Sequence, residues 1–352
     1  MVKYPGSCFH STVSPSPFCM SDCTDSRLNA LAAWLTRILP TPPLGLMPAS
    51  SDASFRRYFR FTREGRTWIV MDAPPERESL QAFLRVGHIL QNAGIQVPAV
   101  HAVNEAEGFL LLDDLGSTPY YALRHTPAAT ELYQAALLTL ARMQARIRPA
   151  DHPALPSYDE ALLRRELHIF REWFLEGLLR LRLTPAEQTL WAWVSDHLVS
   201  RALAQPVVFV HRDFHSRNLL ATGESSPGVL DFQDAVQGPL TYDLVSLLRD
   251  CYVLWPETRV DAWVEDFRRL TGTCSSPEAF RHDFDLMGMQ RHLKAVGIFA
   301  RLKQRDGKPG YLADIPRTLS YVSVVAGLYP GLSALGRFLD DRVYHRLSEV
   351  LP

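Results

Sequence analysis

The sequence predicts an α+β protein in two lobes, a small antiparallel β-sheet lobe followed by a larger, mainly helical one. Three observations carry this prediction. The first third of the chain alternates strand-like runs with tight turns, whereas from Thr126 onward apolar residues recur at helical spacing. Inside the helical part, a polar octapeptide lies between two short apolar runs that read as buried strands. With 352 residues, 47% hydrophobic and 21% charged, the chain has ample material for a core. Its length suggests about two domains or lobes.

Taken in order, residues 1–26 carry Ser, Pro, Thr and Cys without periodicity. They lack the basic start and apolar stretch of a signal peptide, so disorder is expected there. Met20 precedes a more ordinary beginning and is an alternative to Met1 as the start of translation. A helix is expected over 28–39, followed by a Pro-rich breaker at 40–48. Residues 55–61 and 67–72 read as paired strands around a turn at 63–66, and 78–91 as a helix with Leu80, Phe83, Leu84, Val86, Ile89 and Leu90 on its apolar face. Two more strands, 99–103 and 109–113, complete a small sheet. The predicted N-terminal lobe spans 27–115 and joins the C-terminal lobe, 116–352, through residues 113–118. In the latter, Leu132, Ala136, Leu140, Met143 and Ile147 share a helix face, Thr184-Pro185-Ala186-Glu187 is a capping box, and Ser276-Pro277 opens a long helix toward Arg305.

The octapeptide is His211-Arg212-Asp213-Phe214-His215-Ser216-Arg217-Asn218, the pattern H-R-D-x-x-x-x-N, and Asp231-Phe232 follows at the end of the next strand. Transfer of a γ-phosphoryl group asks for a positioned hydroxyl and for charge neutralisation over phosphate oxygens. Asp213 is the candidate base that accepts the hydroxyl proton. Asn218 and Asp231 are candidate ligands of a magnesium ion carrying ATP, since a hard cation takes oxygen donors. His211 reads as a brace of the loop, His215 as either a brace or a group near the acceptor, and Asp234 and Asp243 as acceptors that organise the loop.

Composition narrows the partners. A formal net charge of −1 gives no global pull toward nucleic acid or a membrane surface, and no apolar run reaches the roughly 18 residues of a spanning helix. No obligatory protein partner is evident, and a small molecule is the expected acceptor. Five cysteines, Cys8, Cys19, Cys23, Cys251 and Cys274, lack zinc-like spacing and fit reduced thiols in the cytoplasm.

The order of parts resembles the aminoglycoside/choline-type phosphotransferases, which have a protein-kinase-like two-lobed fold, from about residue 51 to 329. The segments 211–218, 228–235, 238–250 and 290–301 are similar to the anomeric sugar kinases of bacterial cell-wall recycling. That resemblance implies phosphorylation of the C1 hydroxyl of N-acetylmuramic acid or N-acetylglucosamine, with ATP and Mg2+, Asp213 as base, and Asn218 and Asp231 toward the metal. An aminoglycoside or choline-like acceptor remains an alternative, as does a nucleotide-binding pseudokinase that acts as an interaction module.

The chain also departs from protein kinases. Gln233 replaces the glycine of a D-F-G triplet, and a helix expected at Thr241 leaves no room for an activation segment. Only Lys3, Lys294, Lys303 and Lys308 are lysines, so the small lobe has none for the ATP phosphates, and Met71 stands near the expected strand position. Arg56, Arg57 and Arg60 are candidates to compensate, because guanidinium binds phosphate oxygens bidentately; they equally fit a solvated strand face. Residues 51–54, ending in Ser54, are the candidate nucleotide-loop turn. Asp114 and Leu115, beside Asp113, lie where a hinge would offer its backbone to adenine, although Asp114 equally fits a cap of the next turn. Arg291 and His292 either face the carboxylate of a sugar acid or belong to a solvated helix face.

Overall fold

The structure, a computed structural model, describes residues 25–41, 43–50, 55–223 and 227–351. The expectations for Met20, Cys8, Cys19 and Cys23, and for the nucleotide-loop turn with Ser54, lie outside these residues.

The small lobe begins with α1 (Ser26–Ile38), whose N-cap Asp25 accepts from the Leu28 backbone N–H at 3.1 Å. Strands β1 (Leu44–Ser50), β2 (Arg57–Arg63), β3 (Arg66–Asp72), β4 (Val100–Asn104) and β5 (Phe109–Asp113) form an antiparallel sheet in the order β1-β2-β3-β5-β4. Glu64 and Gly65 join β2 to β3 with φ of 52° and 74°, the left-handed pair that suits the twist of a two-residue hairpin. The stretch expected to be a breaker is instead strand β1. It contains Pro48 and two irregularities in register, which an edge strand tolerates because one row of its backbone groups is unpaired.

Alternation along β3 assigns its two faces. Val70 joins Leu31, Trp34, Leu35, Phe59 and Phe61 in a core under α1, while Met71 joins the main core together with Phe83 and Leu90 of α2 (Leu80–Asn92). The sheet is thus covered on both sides.

The large lobe contains α3 (Tyr120–Leu123), α4 (Ala129–Arg146), α5 (Glu160–Ile169) running into a π-helical stretch (Phe170–Leu178), and α6 (Pro185–Leu203), which opens on the Thr184–Glu187 capping box. Next come β6 (Val207–Val210), β7 (Leu219–Leu220), β8 (Gly228–Val229) and β9 (Val236–Pro239), then α7 (Tyr242–Leu248), α8 (Glu257–Thr271) and α9 (Pro277–Asp306). Three shorter helices close the chain: α10 (Ile315–Leu328), α11 (Ser333–Phe338) and α12 (His345–Val350). Helix α9 starts at N-cap Ser276 and stops at Gly307, whose φ of 65° makes it a left-handed cap. It passes so close to the π-helical stretch that a Cβ on Gly297 would lie 2.6 Å from the Phe170 backbone nitrogen.

The lobes meet through aromatic packing. Phe83 of α2 lies against Phe232, with ring centroids 4.8 Å apart, and the Val229 N–H donates to the Gln96 carbonyl at 2.8 Å.

Candidate active site

Two short ribbons build the site. β6 pairs with β9 and β7 pairs with β8, so the octapeptide leaves one ribbon and enters the other. The Leu230 N–H donates to the Asn218 carbonyl at 2.9 Å, bringing Asp231 alongside Asn218. Asn218 Nδ2 donates to the Asp213 carbonyl at 3.1 Å and to Asp231 Oδ2 at 3.4 Å, so the three expected residues do converge. The Gln233 amide donates to Asp231 Oδ1 at 2.8 Å, which gives the residue in the glycine position a task of its own.

The loop is held from beneath by buried carboxylates. Asp243 accepts from the backbone N–H groups of His211 and Arg212 at 2.6 and 2.9 Å, and Asp250 accepts from Ser216 N–H at 3.0 Å. Burial pushes the Asp243 carboxyl up to about 7, against the pull of those two N–H groups. Arg212 and Asp231 both sit in the left-handed region, with φ of 77° and 62°. That conformation is costly for residues with a Cβ and persists where neighbours over-determine it, as Asp243 does at Arg212. His211 is fully buried, its Nδ1 accepts from the Asp213 N–H at 3.2 Å, and burial lowers its pKa to about 4, so it is a neutral brace. Asp234, expected to help organise the loop, is exposed.

Asp213 is half-buried. Burial works to raise its pKa, yet the charges of Lys294, His215, Arg291 and Arg212 hold it below the usual carboxylate value. A proton acceptor must be ionised, so this surrounding suits the role expected of Asp213. Glu166 of α5 anchors two of these cations, accepting from Arg212 at 2.8 Å and pairing with Lys294 Nζ at 3.0 Å, while Gln290 and Tyr158 also donate to it. Lys294 reaches the Tyr242 hydroxyl at 2.9 Å as well. Neither Glu166 nor Lys294 is among the residues expected from sequence. Lys294 carried a signal: it is one of only four lysines and stands three residues after Arg291, on the same helix face.

The other candidates divide. His215 is half-buried with its ring edge-on to Tyr252 at 5.4 Å, and burial holds its pKa down. Arg291 is 6% exposed and contributes to the field on Asp213. His292 is turned away, because one helical step rotates a side chain by about 100°. Its Nε2 meets the Arg249 carbonyl at 2.8 Å, and burial pushes its pKa down to about 3. Arg56 pairs with Glu78 at 2.8 Å, Arg57 with Asp72 at 2.5 Å and with Asp25, and Arg60 with Asp114 at 2.6 Å. These arginines are committed to carboxylates of this chain and are not brought to the Asp213 cluster. Asp114 also accepts from the Gly116 N–H at 3.0 Å, so its carboxylate caps that turn. The Leu115 side chain covers Gly228 of β8 closely enough that a Cβ there would lie 2.9 Å from it.

A magnesium site can be tested on the donor set. No cluster of three or more His, Cys, Asp or Glu able to hold a metal occurs among the described residues. With Asn218 Nδ2 engaged by the Asp213 carbonyl, its Oδ1 and the Asp231 carboxylate are two oxygen donors. That set fits Mg2+, which keeps water and phosphate oxygens in most of its positions. No described helix is long and apolar enough to cross a membrane.

Comparisons with known proteins agree with this geometry. The family described as phosphotransferase enzyme family matches residues 45–282. The chain is 44% identical over 332 residues to the N-acetylmuramate/N-acetylglucosamine kinase of Pseudomonas putida, covering 90% of this chain and 97% of that one. It is 45% identical to the protein of the same name from Pseudomonas aeruginosa, with 91% and 97% covered. A spectinomycin phosphotransferase solved with ADP and spectinomycin has the same fold, with a TM-score of 0.60 at 11% identity, covering 84% of this chain and 97% of that one. Fold, site and sequence together make this chain a member of the phosphotransferase enzyme family, with the kinase-like two-lobed architecture.

Proposed function

We propose that the chain transfers the γ-phosphoryl group of ATP to the C1 hydroxyl of N-acetylmuramic acid or N-acetylglucosamine, in the cytoplasmic reuse of cell-wall sugars. The observation that carries the reading is the convergence of Asp213, Asn218 and Asp231, in a chain whose relatives at 44–45% identity are named for that kinase activity. Asp213 accepts the hydroxyl proton as the sugar oxygen attacks phosphorus in line with the departing ADP oxygen. Asn218 and Asp231 hold Mg2+, which when bound supplies charge neutralisation across the phosphate oxygens. Residues 27–115 serve as the nucleotide lobe, Leu115 and the hinge backbone beside Asp114 lie along adenine, and the lobe from 116 carries catalysis and the acceptor. His215 lines the acceptor side. The small-lobe arginines hold their own lobe together rather than gripping phosphate.

Incubation with ATP, Mg2+ and each sugar, followed by 31P NMR, tests the proposal. A sugar 1-phosphate is expected from at least one of the two. An aminoglycoside or choline phosphorylated in preference to both sugars would overturn the acceptor assignment, and ATP bound with no turnover on any acceptor would overturn the enzymatic reading.

A further inference from the structure

A phosphoryl-transfer site must neutralise the charge that develops on the transferring group, and here the small lobe has no lysine to offer: the buried Met71 stands near the strand position where one is expected. Arg56, Arg57 and Arg60 are each paired with a carboxylate of the small lobe. Around Asp213 the structure sets three cations from the large lobe, Arg212, Lys294 and Arg291. Arg212 and Lys294 share Glu166. Arg291 differs. It is 94% buried by its 6% exposure, its Nε has no hydrogen-bond partner, its Nη1 meets only the Cys251 sulfur at 3.7 Å, and its guanidinium lies 5.9 Å from the Tyr242 ring. Among the described residues no carboxylate forms a direct ion pair with it, and Asp213 and Asp250 act on it only at longer range. A guanidinium buried without an acid partner is costly, and a bidentate anion arriving from outside relieves that cost.

We infer that Arg291 is a catalytic residue that binds the transferring phosphoryl group, so that the charge clamp of this enzyme comes from α9 in the large lobe instead of from β3 in the small one. The inference rests on the proposed function. It also bears on an alternative partner, the carboxylate of N-acetylmuramate. The Pseudomonas relatives are named for both that sugar and the neutral N-acetylglucosamine. A cation reserved for the sugar carboxylate would be left buried and unpaired with the neutral acceptor, whereas the phosphoryl group is common to both reactions. In the step itself, the bond from Pγ to the β,γ-bridging oxygen breaks and its electron pair leaves on ADP. The bond from Pγ to the sugar O1 forms, and the O1 proton passes to Asp213. Arg291 donates N–H bonds to non-bridging oxygens throughout and exchanges no proton, because guanidinium stays charged.

The test compares wild type, R291M and R291K on both sugars and with the transition-state mimic ADP plus aluminium fluoride and Mg2+. R291M is expected to lower kcat about a hundredfold to a thousandfold on both sugars by the same factor, with sugar KM little changed. It is also expected to lose tight ADP–aluminium fluoride binding while still binding ADP alone, and R291K is expected to recover part of both. A loss confined to N-acetylmuramate, read as a raised KM for that sugar alone, would overturn the inference in favour of a carboxylate reader. Unchanged mimic binding in folded R291M would overturn it as well. If wild type phosphorylates neither sugar, the functional reading fails, while the mimic-binding comparison still decides the role of Arg291.

Discussion

The arginines of the small-lobe sheet and the cations around Asp213 are handled in opposite ways. In the small lobe Arg57, Arg60 and Arg66 are half-exposed or exposed and close ion pairs across neighbouring strands and loops, where solvent screens them. In the large lobe Arg212, Lys294 and Arg291 lie within or beside the core and converge on one half-buried carboxylate, where the field of each is less screened. One arrangement holds a sheet together and the other tunes the carboxylate proposed as the base. Arginine content alone therefore points to the wrong lobe; what matters is whether a cation's partner is already supplied by the fold.

Substitutions can sharpen or break this contrast. The largest effect is expected at the base: Asp213→Asn should cost about a thousandfold or more in kcat with ATP affinity nearly unchanged, and near-wild-type sugar-phosphate formation would end the assignment. At the metal face, Asp231→Asn should raise the Mg2+ concentration needed for half-maximal rate by about tenfold or more, measured by titrating Mg2+ at fixed ATP. Lys294→Met should act on pH dependence. Removing a cation that holds the Asp213 carboxylate low raises its pKa, so the acid limb of kcat/KM should move to higher pH. An unmoved limb with a reduced plateau would leave Lys294 a purely structural part. The smallest effect is expected in the other lobe. Arg57→Ala should leave the KM for ATP unchanged and lower stability by only about 1 kcal/mol, since its pairs are partly exposed and Asp72 keeps Arg27. A raised KM for ATP would return Arg57 to the phosphate site.

Much of this arrangement was legible in the sequence. The spacing of Asp213, Asn218 and Asp231 announces one cluster, and Ser276-Pro277, Thr184-Pro185 and Glu64-Gly65 announce the helix starts and the hairpin through local chemistry that tertiary context does not override. Strand β1 was hidden because Gly45 and Pro48 read as breakers, and only its place at the edge of the sheet permits them. The partners of buried charges were hidden for a different reason. Gln290 and Glu166 meet across 124 positions, Arg212 and Glu166 across 46, and periodicity carries no information at that range. His292 shows the reverse case: helical geometry, applied to its neighbour Arg291, already implies that both cannot face one pocket.

The packing of Phe232 on α2 has a mechanical consequence. Phe232 follows Asp231 directly, and a Cβ on Gly87 would lie 3.4 Å from its ring, so the small lobe grips the large one beside the carboxylate assigned to the metal. Were the small lobe to rock, this contact would pass the movement to that carboxylate through the backbone joining Phe232 to Asp231. A thicker side chain at position 87 acts as a shim in that contact, and its effect should be felt as a changed appetite for magnesium by a residue that touches neither nucleotide nor sugar.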